Sequence, residues 1–406
     1  MRELEFPTLD EADVLGKTVL VRVDINSPID PKTGEILDDT RIRECVPTLK
    51  ELLQKGAKIV VLAHQGRLGS EDFKPLKQHA KKLSGLLGLE VKYIADIFGP
   101  SARQAIKSLR PGEVLLLENV RFCEEETLNR PAEELAKTDL VRSLAGLVDV
   151  YVNDAFGTAH RSQPSLVGFA VLLPTFAGRL MEREIKGLSR ALSPKRPCVY
   201  AMGGAKVDDA LRIIENALNR GVADELITGG LVGQTFLTAA GQDIGKPNLN
   251  LLLERGFKRD IERAGKLLAT YGKRIKMPVD VVVDDHGKPK ELTLEQLPTE
   301  LPICDIGSQT IKEYSRVMAG AGTIVVGGPF GIFENPIFAR GTSEILMAMA
   351  NSRAFTVIGG GHLVAVARAA GIANKIGHIS TGGKACVSFL SGEKLPAVEM
   401  LIHAKR

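Results

Sequence analysis

The chain has 406 residues, more than a single hydrophobic core usually serves, so we expect two domains. Its hydrophobic content of 44%, charged content of 25% and net charge of +4 are typical of a soluble globular protein, and no basic run or set of aromatic side chains indicates a nucleic-acid partner. No apolar run approaches the roughly 18–20 residues of a membrane span. Scattered cysteines without a CxxC spacing favour the reducing cytoplasm over a disulfide framework or a zinc site.

Short apolar runs alternate with helical patterns in the first half of the chain. This alternation predicts a parallel sheet with helices on both faces. The predicted strands are Val19–Val23, Ile59–Ala63, Val91–Ile94, Val114–Leu117 and Val148–Val152. The predicted helices between them are Val46–Gln54, Leu76–Leu87 and Ala102–Leu109.

Charged and amide side chains follow the ends of these strands, where ligands of such sheets bind. The candidates are Asp24, Asn26, Arg41, His64, Arg67, Glu118, Asn119, Arg121, Asn153, Asp154, His160 and Arg161. Converging guanidinium groups suit carboxylates and phosphates, and a carboxylate among them suits a hydroxyl group. The set therefore predicts a small, multiply anionic, hydroxylated ligand such as a sugar-acid phosphate. Taken singly, each candidate is equally explained as a solvated charge or a structural ion pair, and Arg22, inside its strand, is interpreted as structural.

An amphipathic helix is predicted between the two halves of the chain, because apolar residues recur on one helix face before two prolines. These residues are Ala177, Met181, Ile185, Leu188 and Leu192, followed by Pro194 and Pro197. The helix is either an ordinary domain helix or a rigid connector across which two halves hinge. Its place between two series of strands and helices favours the connector.

The predicted strands of the second half end in glycine. They are Val199–Met202, Glu225–Thr228, Val279–Val283, Thr323–Val326, Phe355–Ile358 and Ile376–Ile379. The turns that follow are Gly203–Lys206, Gly229–Leu231, Gly327–Glu334, Gly359–His362 and Thr381–Lys384. Glycine turns that open helices bring backbone N–H groups close to phosphates, and Lys206 adds a positive charge. Each glycine pair alone is also explained by a tight turn between strand and helix.

Two common nucleotide motifs are missing, which disfavours a P-loop enzyme and a standard dinucleotide-dependent dehydrogenase. The chain has no GxxxxGK[ST] motif, and Val364 stands where the dinucleotide motif needs glycine or alanine. Asp208 and Asp209 suit either the first turn of a helix or a metal carried by the nucleotide. We expect phosphoryl transfer completed by hinge closure. The alternative is a non-catalytic two-domain protein that binds a nucleotide or an acidic metabolite.

The order and spacing of the motifs resemble phosphoglycerate kinases over almost the whole chain. The motifs are RVDIN (Arg22–Asn26), DDTRI (Asp38–Ile42), HQGR (His64–Arg67), LENVRF (Leu117–Phe122), VNDAFGTAHR (Val152–Arg161), GGAKV (Gly203–Val207), GGPFGIFE (Gly327–Glu334) and ISTGG (Ile379–Gly383). The resemblance implies an α/β fold of two Rossmann-like three-layer domains with parallel sheets. It further implies a phosphoglycerate-binding domain over residues 1–174, a hinge helix over 175–194, a nucleotide-binding domain over 195–385 and a segment, 386–406, that packs back on the first domain.

The resemblance implies a reversible step of glycolysis and gluconeogenesis, in which the 1-phosphate of 1,3-bisphosphoglycerate passes to ADP to give 3-phosphoglycerate and ATP, with Mg²⁺ accompanying the nucleotide. The implied catalytic residues are Arg41, Lys206, Gly361 and Gly383. The implied phosphoglycerate-binding residues are Asp24, Asn26, Arg41, His64, Arg67, Arg121 and Arg161. The implied nucleotide-binding residues are Gly203, Gly204, Lys206, Gly307, Gly328, Pro329, Glu334, Gly359, Gly360, Gly361 and His362.

Several departures from the common family pattern resemble the archaeal branch. Ala210 stands where many members have a second lysine, and His362 stands where many have an aspartate that binds magnesium. Gly327 replaces a common asparagine, and Lys384 replaces the third glycine of a TGGG turn. Because Mg²⁺ prefers oxygen ligands, the metal ligands stay unassigned. We hypothesise that Lys384 replaces in part the lysine missing at Ala210.

Overall fold

The computed structural model of the protein describes residues 4–404, which form two compact units. The first unit contains residues 4–186 and 394–404, and the second contains residues 187–393. Each unit has one parallel sheet of six strands. The chain therefore has the predicted α/β fold with two Rossmann-like domains, and one helix runs from the first unit into the second.

The sheet of the first unit has the strand order β3–β4–β2–β1–β5–β6. Its strands are β1 Thr18–Val23, β2 Lys58–Leu62, β3 Val91–Tyr93, β4 Val114–Leu116, β5 Val150–Asp154 and β6 Thr175–Ala177. Its helices up to this point of the chain are α1 Thr40–Gln54, α2 Lys77–Leu87, α3 Pro100–Lys107, α4 Ala132–Leu135, α5 Asp139–Ala145 and α6 Phe169–Leu172. Alternate residues of β1 pack on opposite faces, since Val19 and Val21 belong to one buried cluster and Leu20 to another. Both faces are covered, as near-continuous apolar strands predict.

Two helices begin at least four residues away from their predicted starts. α1 begins at Thr40 instead of Val46, and its additional turns contribute Ile42 and Cys45 to the same buried cluster as Leu49. Arg41 therefore lies in the first turn of α1. The helix predicted over residues 175–194 is α7, Arg179–Leu192. It begins later because Thr175–Ala177 pairs with β5 as a short edge strand.

The second unit repeats the parallel architecture, with the strand order β15–β14–β13–β7–β8–β9. Its strands are β7 Cys198–Met202, β8 Glu225–Thr228, β9 Ile275–Lys276, β10 Asp280–Asp285, β11 Lys288–Thr293, β12 Ile303–Ile306, β13 Thr323–Gly327, β14 Phe355–Gly359 and β15 His378–Ser380. Its helices are α8 Val207–Asn219, α9 Gly230–Ala239, α10 Lys246–Glu254, α11 Lys258–Tyr271, α12 Ser308–Ala319, α13 Arg340–Ala350, α14 Gly361–Ala369 and α15 Lys384–Leu390.

The strand predicted at Val279–Val283 does not join the parallel sheet. It is β10, the centre of a separate three-stranded sheet in which it pairs antiparallel with β11 and β12. β10 and β11 are joined by His286 and Gly287, which both have positive φ, 53° and 84°. A two-residue turn with positive φ at both positions fits the twist of a tight hairpin, so it reverses the chain at once.

The chain returns to the first unit at its C-terminal end. α16, Pro396–Ile402, packs there, and the N–H of Ala397 donates to the carbonyl oxygen of Ala159 at 3.2 Å. The returning segment was predicted to begin at residue 386, but residues 386–393 belong to the second unit. α15 is held there because the Asn216 amide on α8 donates to the carbonyl oxygen of Leu390 at 2.7 Å. The other domain boundaries stay predictions. No helix within residues 4–404 is long and apolar enough to cross a membrane.

Candidate functional site

Four of the predicted arginines converge in the first unit. We call them the arginine cluster: Arg41, Arg67, Arg121 and Arg161. Burial, and then the positive charges of Arg161, Arg22 and Arg67, lower the pKa of Arg121 to about 10. Burial and neighbouring arginines also lower the pKa of Arg161. Side chains that repel one another in this way favour an anionic ligand that neutralises them.

Arg121 is held at the end of β4 by a single helical turn, Val120–Phe122. Its N–H donates to the side chain of Asn119 at 3.2 Å, and its guanidinium donates to the carbonyl oxygen of Gly66. The same loop is tied to Asn26, whose side-chain oxygen accepts from the N–H of Gly66 at 2.9 Å. Residues that follow three different strands are thus fixed against one another.

Asp24 supplies a buried acceptor next to the arginine cluster. Arg41 on α1 donates to its Oδ2 at 2.7 Å, and the N–H of Asn26 donates to its Oδ1 at 3.2 Å. Asp24 is only 4% exposed, whereas the Arg41 side chain is 38% exposed. A carboxylate of this kind, held by one guanidinium, retains lone pairs that can accept from a ligand hydroxyl.

His64 is buried beneath the cluster, where its charged form is disfavoured. Burial, and then the charges of Arg22, Arg121 and Arg161, hold its pKa well below the usual range. Its Nδ1 lies 3.1 Å from Nη2 of Arg22. Because a guanidinium can only donate, Nδ1 must be the acceptor, and the proton of the neutral ring must be on Nε2. His64 can therefore donate to an anion without carrying a charge.

Arg22, which the sequence analysis interpreted as structural, supports this arrangement from inside β1. It is 1% exposed, and its Nε donates to the hydroxyl of Ser165 at 2.9 Å. Ser165 in turn contacts the buried carboxylate of Glu126 at 2.5 Å. The network of Arg22, Ser165 and Glu126 brings together residues up to 143 positions apart, so no sequence pattern indicates it.

The remaining polar candidates of the first unit mostly bind backbone groups. Glu118 accepts from the N–H of Leu76 at 3.0 Å, and the Asn153 amide donates to the carbonyl oxygen of Leu166 at the same distance. Asp154 accepts from the N–H groups of Leu180 and Met181 at the start of α7. His160 lies beside Arg161, with Nε2 of His160 3.4 Å from Nε of Arg161.

A cavity of about 870 Å³ lies in the second unit, where β7, β13 and β14 end. The predicted nucleotide-binding and catalytic residues on its wall are Gly203, Gly204, Lys206, Gly328, Pro329, Glu334, Gly359, Gly360, Gly361, His362 and Gly383. Ala210 and Lys384 line it as well. Gly307 does not, because it packs on Asp280: a Cβ on Gly307 would lie 2.2 Å from Cγ of that residue.

The glycines of the cavity wall differ in what they do. Gly203 allows two strand ends to touch, since a Cβ there would lie 2.4 Å from the carbonyl oxygen of Pro329, and its N–H donates to Gly327 at 2.7 Å. Gly360 and Gly361 have open space around them, and Gly360 has a φ of 97° as α14 begins. The turn at Gly203 therefore serves packing, whereas the start of α14 leaves backbone N–H groups free for an anion.

The cavity wall carries positive charge but no cluster of metal ligands. Lys206 and Lys384 are exposed there, and His362 stacks on Phe333 with the ring centres 4.7 Å apart. Asp208 forms an ion pair with Arg263 at 2.6 Å, which gives Asp208 a structural role. Asp209 lines the cavity and lies 3.8 Å from Arg212. Within the described residues, no three His, Cys, Asp or Glu side chains are grouped to hold a metal ion.

Comparisons with known proteins agree on one family. The family model described as phosphoglycerate kinase matches residues 9–393. The chain is 52% identical over 402 residues to the phosphoglycerate kinase of Methanothermobacter thermautotrophicus, covering 99% of this chain and 98% of that one. It is 50% identical over 403 residues to the enzyme of Methanothermus fervidus, with the same coverage.

A solved structure of the same family agrees with the whole fold. The crystal structure of phosphoglycerate kinase from Pyrococcus horikoshii OT3 is similar with a TM-score of 0.89 at 45% sequence identity. The similarity covers 97% of this chain and 98% of that chain. The likeness therefore extends over both units and is not confined to a single nucleotide-binding domain.

Proposed function

The chain belongs to the phosphoglycerate kinase family, and from this premise we propose that it transfers the 1-phosphate of 1,3-bisphosphoglycerate to ADP, reversibly, in the cytoplasm. The observation that carries the proposal is the chemistry of the two units. One holds mutually repelling arginines around a buried carboxylate, and the other holds a glycine-walled cavity with exposed lysines. The first unit is the phosphoglycerate-binding domain and the second is the nucleotide-binding domain.

The phosphoglycerate lies between Asp24 and the arginine cluster in this proposal. Asp24 accepts from the 2-hydroxyl group, with Asn26 beside it. Arg41, bonded to Asp24 at 2.7 Å, is then next to the neighbouring carboxyl carbon, where the phosphoryl group is transferred. His64, Arg67, Arg121 and Arg161 bind the 3-phosphate at the other end of the ligand. The neutral imidazole contributes an N–H donor among three cations, so the charge at this end is not increased further.

The nucleotide lies in the cavity of the second unit in this proposal. The N–H groups between the end of β14 and the start of α14, from Gly359 to Gly361, and the peptide of Gly383 bind its phosphates. Glu334 accepts from the ribose hydroxyls, and Lys206 contacts the phosphoryl group in transfer. Gly307 contributes only by positioning Asp280 and the start of α12.

The nucleotide enters as its magnesium complex in this proposal. Mg²⁺ takes oxygen ligands and commonly uses one or two carboxylates besides the phosphates. Asp209 fits this need, since it lines the cavity three residues from Lys206, whereas Asp208 is committed to Arg263. When bound, the ion neutralises phosphate charge; His362, with nitrogen donors, serves the phosphates instead.

The reaction needs no covalent enzyme intermediate. The transferring group carries negative charge on its three outer oxygens, and cations held in place lower the barrier without reorganisation during the step. Arg41 and Lys206 supply these charges from the two sides of the transfer. Domain closure across α7, as predicted from the sequence, is part of this proposal and excludes water from the transfer.

A coupled assay with ATP, Mg²⁺ and 3-phosphoglycerate tests the proposal on wild type, Lys206→Ala and a matched control. Lys206→Ala is expected to lower kcat by roughly 10²–10³-fold, the usual effect of removing one positioned charge. Lys273→Ala, an exposed lysine of the same unit away from the cavity, is the control and should keep full activity. No turnover by the wild type, with binding retained, would favour the non-catalytic binding protein instead.

A further inference from the structure

Gln65, which stands between His64 and Gly66 in the HQGR motif, has no part in the reaction as proposed above. Its side chain is wholly buried, and both ends of its amide contact one residue. Oε1 accepts from the N–H of Ser27 at 2.9 Å, and Nε2 donates to the carbonyl oxygen of Ser27 at 2.9 Å. The amide of Gln65 therefore pairs with the segment after Asn26 as the backbone of a neighbouring strand would.

The backbone of Gln65 is held by a different loop, at the end of β4. Its N–H donates to Oδ1 of Asn119 at 3.2 Å, and its carbonyl oxygen accepts from Nδ2 of Asn119 at 2.8 Å. The same Oδ1 accepts from the N–H of Arg121. Gln65 thus joins the loop of Asn26, at the hydroxyl end of the proposed ligand, to that of Arg121, at its phosphate end.

His79 on α2 contacts the amide of Gln65, with its Nε2 3.0 Å from Oε1, and both side chains are at most 1% exposed. The carbonyl oxygens of Ser27 and Asp72 can only accept, so they fix the amide nitrogen of Gln65 on their side. The amide oxygen then faces Nε2 of His79, which must be the donor. Burial lowers the pKa of His79 to about 4, so near pH 7 the ring is neutral and its one proton is on Nε2.

We propose that His79 is a positioning residue for the bound phosphoglycerate. It donates to Gln65, and Gln65 sets the distance between the two ends of the ligand site. This inference rests on the proposed function. A ligand that is held at both ends binds with a smaller loss of entropy when the two sets of contacts already stand at the right distance. Without the His79 donor, Oε1 of Gln65 loses one of its two hydrogen bonds, and its pairing with Ser27 is weakened.

Steady-state kinetics of the full-length protein tests the inference, with 3-phosphoglycerate and ATP varied in turn. His79→Leu removes the donor at similar volume and should raise the KM for 3-phosphoglycerate about tenfold, the effect of one buried hydrogen bond. The value of kcat should change less than about twofold, since this contact acts equally on bound substrate and transition state. The KM for ATP should stay unchanged, because the cavity belongs to the second domain.

Three further variants separate positioning from structural support. His79→Gln can place an amide N–H where Nε2 was, so its KM for 3-phosphoglycerate should be within about threefold of wild type. Leu83→Ala removes a buried apolar side chain one turn further along α2, so it should lower the melting temperature at least as much as His79→Leu without changing this KM. Gln65→Leu should raise the KM, and adding His79→Leu should raise it less than about twofold further, because His79 acts through Gln65.

Four results would overturn the inference: an unchanged KM in His79→Leu, no rescue by His79→Gln, an equal rise in Leu83→Ala, or effects that multiply in the double variant. If His79→Leu does not fold, His79→Asn replaces it. The shorter side chain puts its amide at the position of Nδ1, away from Gln65, and a KM equal to that of the wild type then decides against His79. Wild-type turnover together with any of these results leaves the proposed function intact, whereas absence of wild-type turnover overturns the function itself.

Discussion

Arg22 donates a hydrogen bond from Nη2 to Nδ1 of His64 at 3.1 Å, inside the first domain. Both side chains are at most 2% exposed. The bond assigns the His64 proton to Nε2 and keeps a neutral donor beneath the arginine cluster. A second positive charge at His64 would instead add to the repulsion among the arginines.

His64 is expected to stay neutral, with the proton on Nε2, at pH values where an ordinary histidine is charged. Nitrogen-15 NMR of the imidazole should show this tautomer at pH 6. Burial and the nearby arginines lower the folded pKa, while the unfolded value is about 6.5. Below pH 6.5 this histidine therefore binds more protons in the unfolded chain than in the folded one, and its contribution to the free energy of unfolding falls as the pH decreases.

His64→Gln should remove this dependence. The stability advantage of wild type over the variant should be constant above pH 7 and should shrink below pH 6.5 by up to about 1.4 kcal/mol per pH unit. Denaturant unfolding of both proteins at steps from pH 5 to 8 measures this difference in the free energy of unfolding. An advantage that stays constant over the whole range would show that His64 titrates normally.

Arg121→Ala is expected to raise the KM for 3-phosphoglycerate by about 10–100-fold, the usual range for one charge-assisted hydrogen bond. The KM for ATP should stay nearly unchanged, because Arg121 belongs to the first domain and the cavity to the second. Steady-state kinetics with each substrate varied in turn gives both values. Arg110→Ala, an exposed arginine outside the cluster, is the matched control. Equal weakening of both substrates would contradict separate sites.

Lys384→Ala is expected to lower kcat and weaken ATP binding, although less than Lys206→Ala lowers kcat. Lys384 and Ala210 line the same cavity, so an ammonium group at one can act in place of the other. A decrease of about tenfold in kcat and in ATP affinity is expected for the removal of an exposed cation that contacts phosphate. Lys375→Ala, an exposed lysine of the second domain away from the cavity, is the control. Unchanged turnover and ATP affinity would contradict the replacement hypothesis.

Asp154→Asn is expected to change how stability depends on pH. Burial raises the pKa of Asp154 to about 7, against the carboxyl's usual 3.8. Between these values Asp154 holds a proton in the folded protein but not in the unfolded chain, so its contribution to the free energy of unfolding falls as the pH rises from about 4 to 7. The asparagine oxygen can still accept from Leu180 and Met181 without titrating. As the pH rises over this range, the free energy of unfolding of the variant should therefore increase relative to that of the wild type by up to about 1.4 kcal/mol per pH unit.

Urea unfolding of both proteins from pH 4.5 to 8 provides the measurement for Asp154. The contributions of the two buried groups to the free energy of unfolding are expected to change with pH in opposite directions, because His64 favours folding at higher pH and Asp154 favours it at lower pH. Parallel wild-type and Asp154→Asn curves would mean that the carboxyl is ionised throughout.

Short-range patterns were enough to predict most of the parallel sheets. β1, β2, β7, β13 and β14 lie within two residues of their predicted bounds, because buried parallel strands are near-continuous apolar runs. β6 and β9, with three and two residues, were not predicted, because these edge strands are not part of a longer apolar run. β10 was predicted as a strand, but whether it joins the parallel sheet depends on its partners and on the turn at His286 and Gly287.

The sequence by itself determined the α/β class, the chemistry at the strand ends and the family, because these follow from residue types at fixed local spacing. The tertiary structure decided which of those residues share a task. It separates Gly307 from the cavity, assigns the His64 proton through Arg22, and joins α15 to α8 through Asn216 and Leu390, 174 residues apart. Hydrogen-bond partnership and burial depend on groups far apart in the chain, and no local pattern records such contacts.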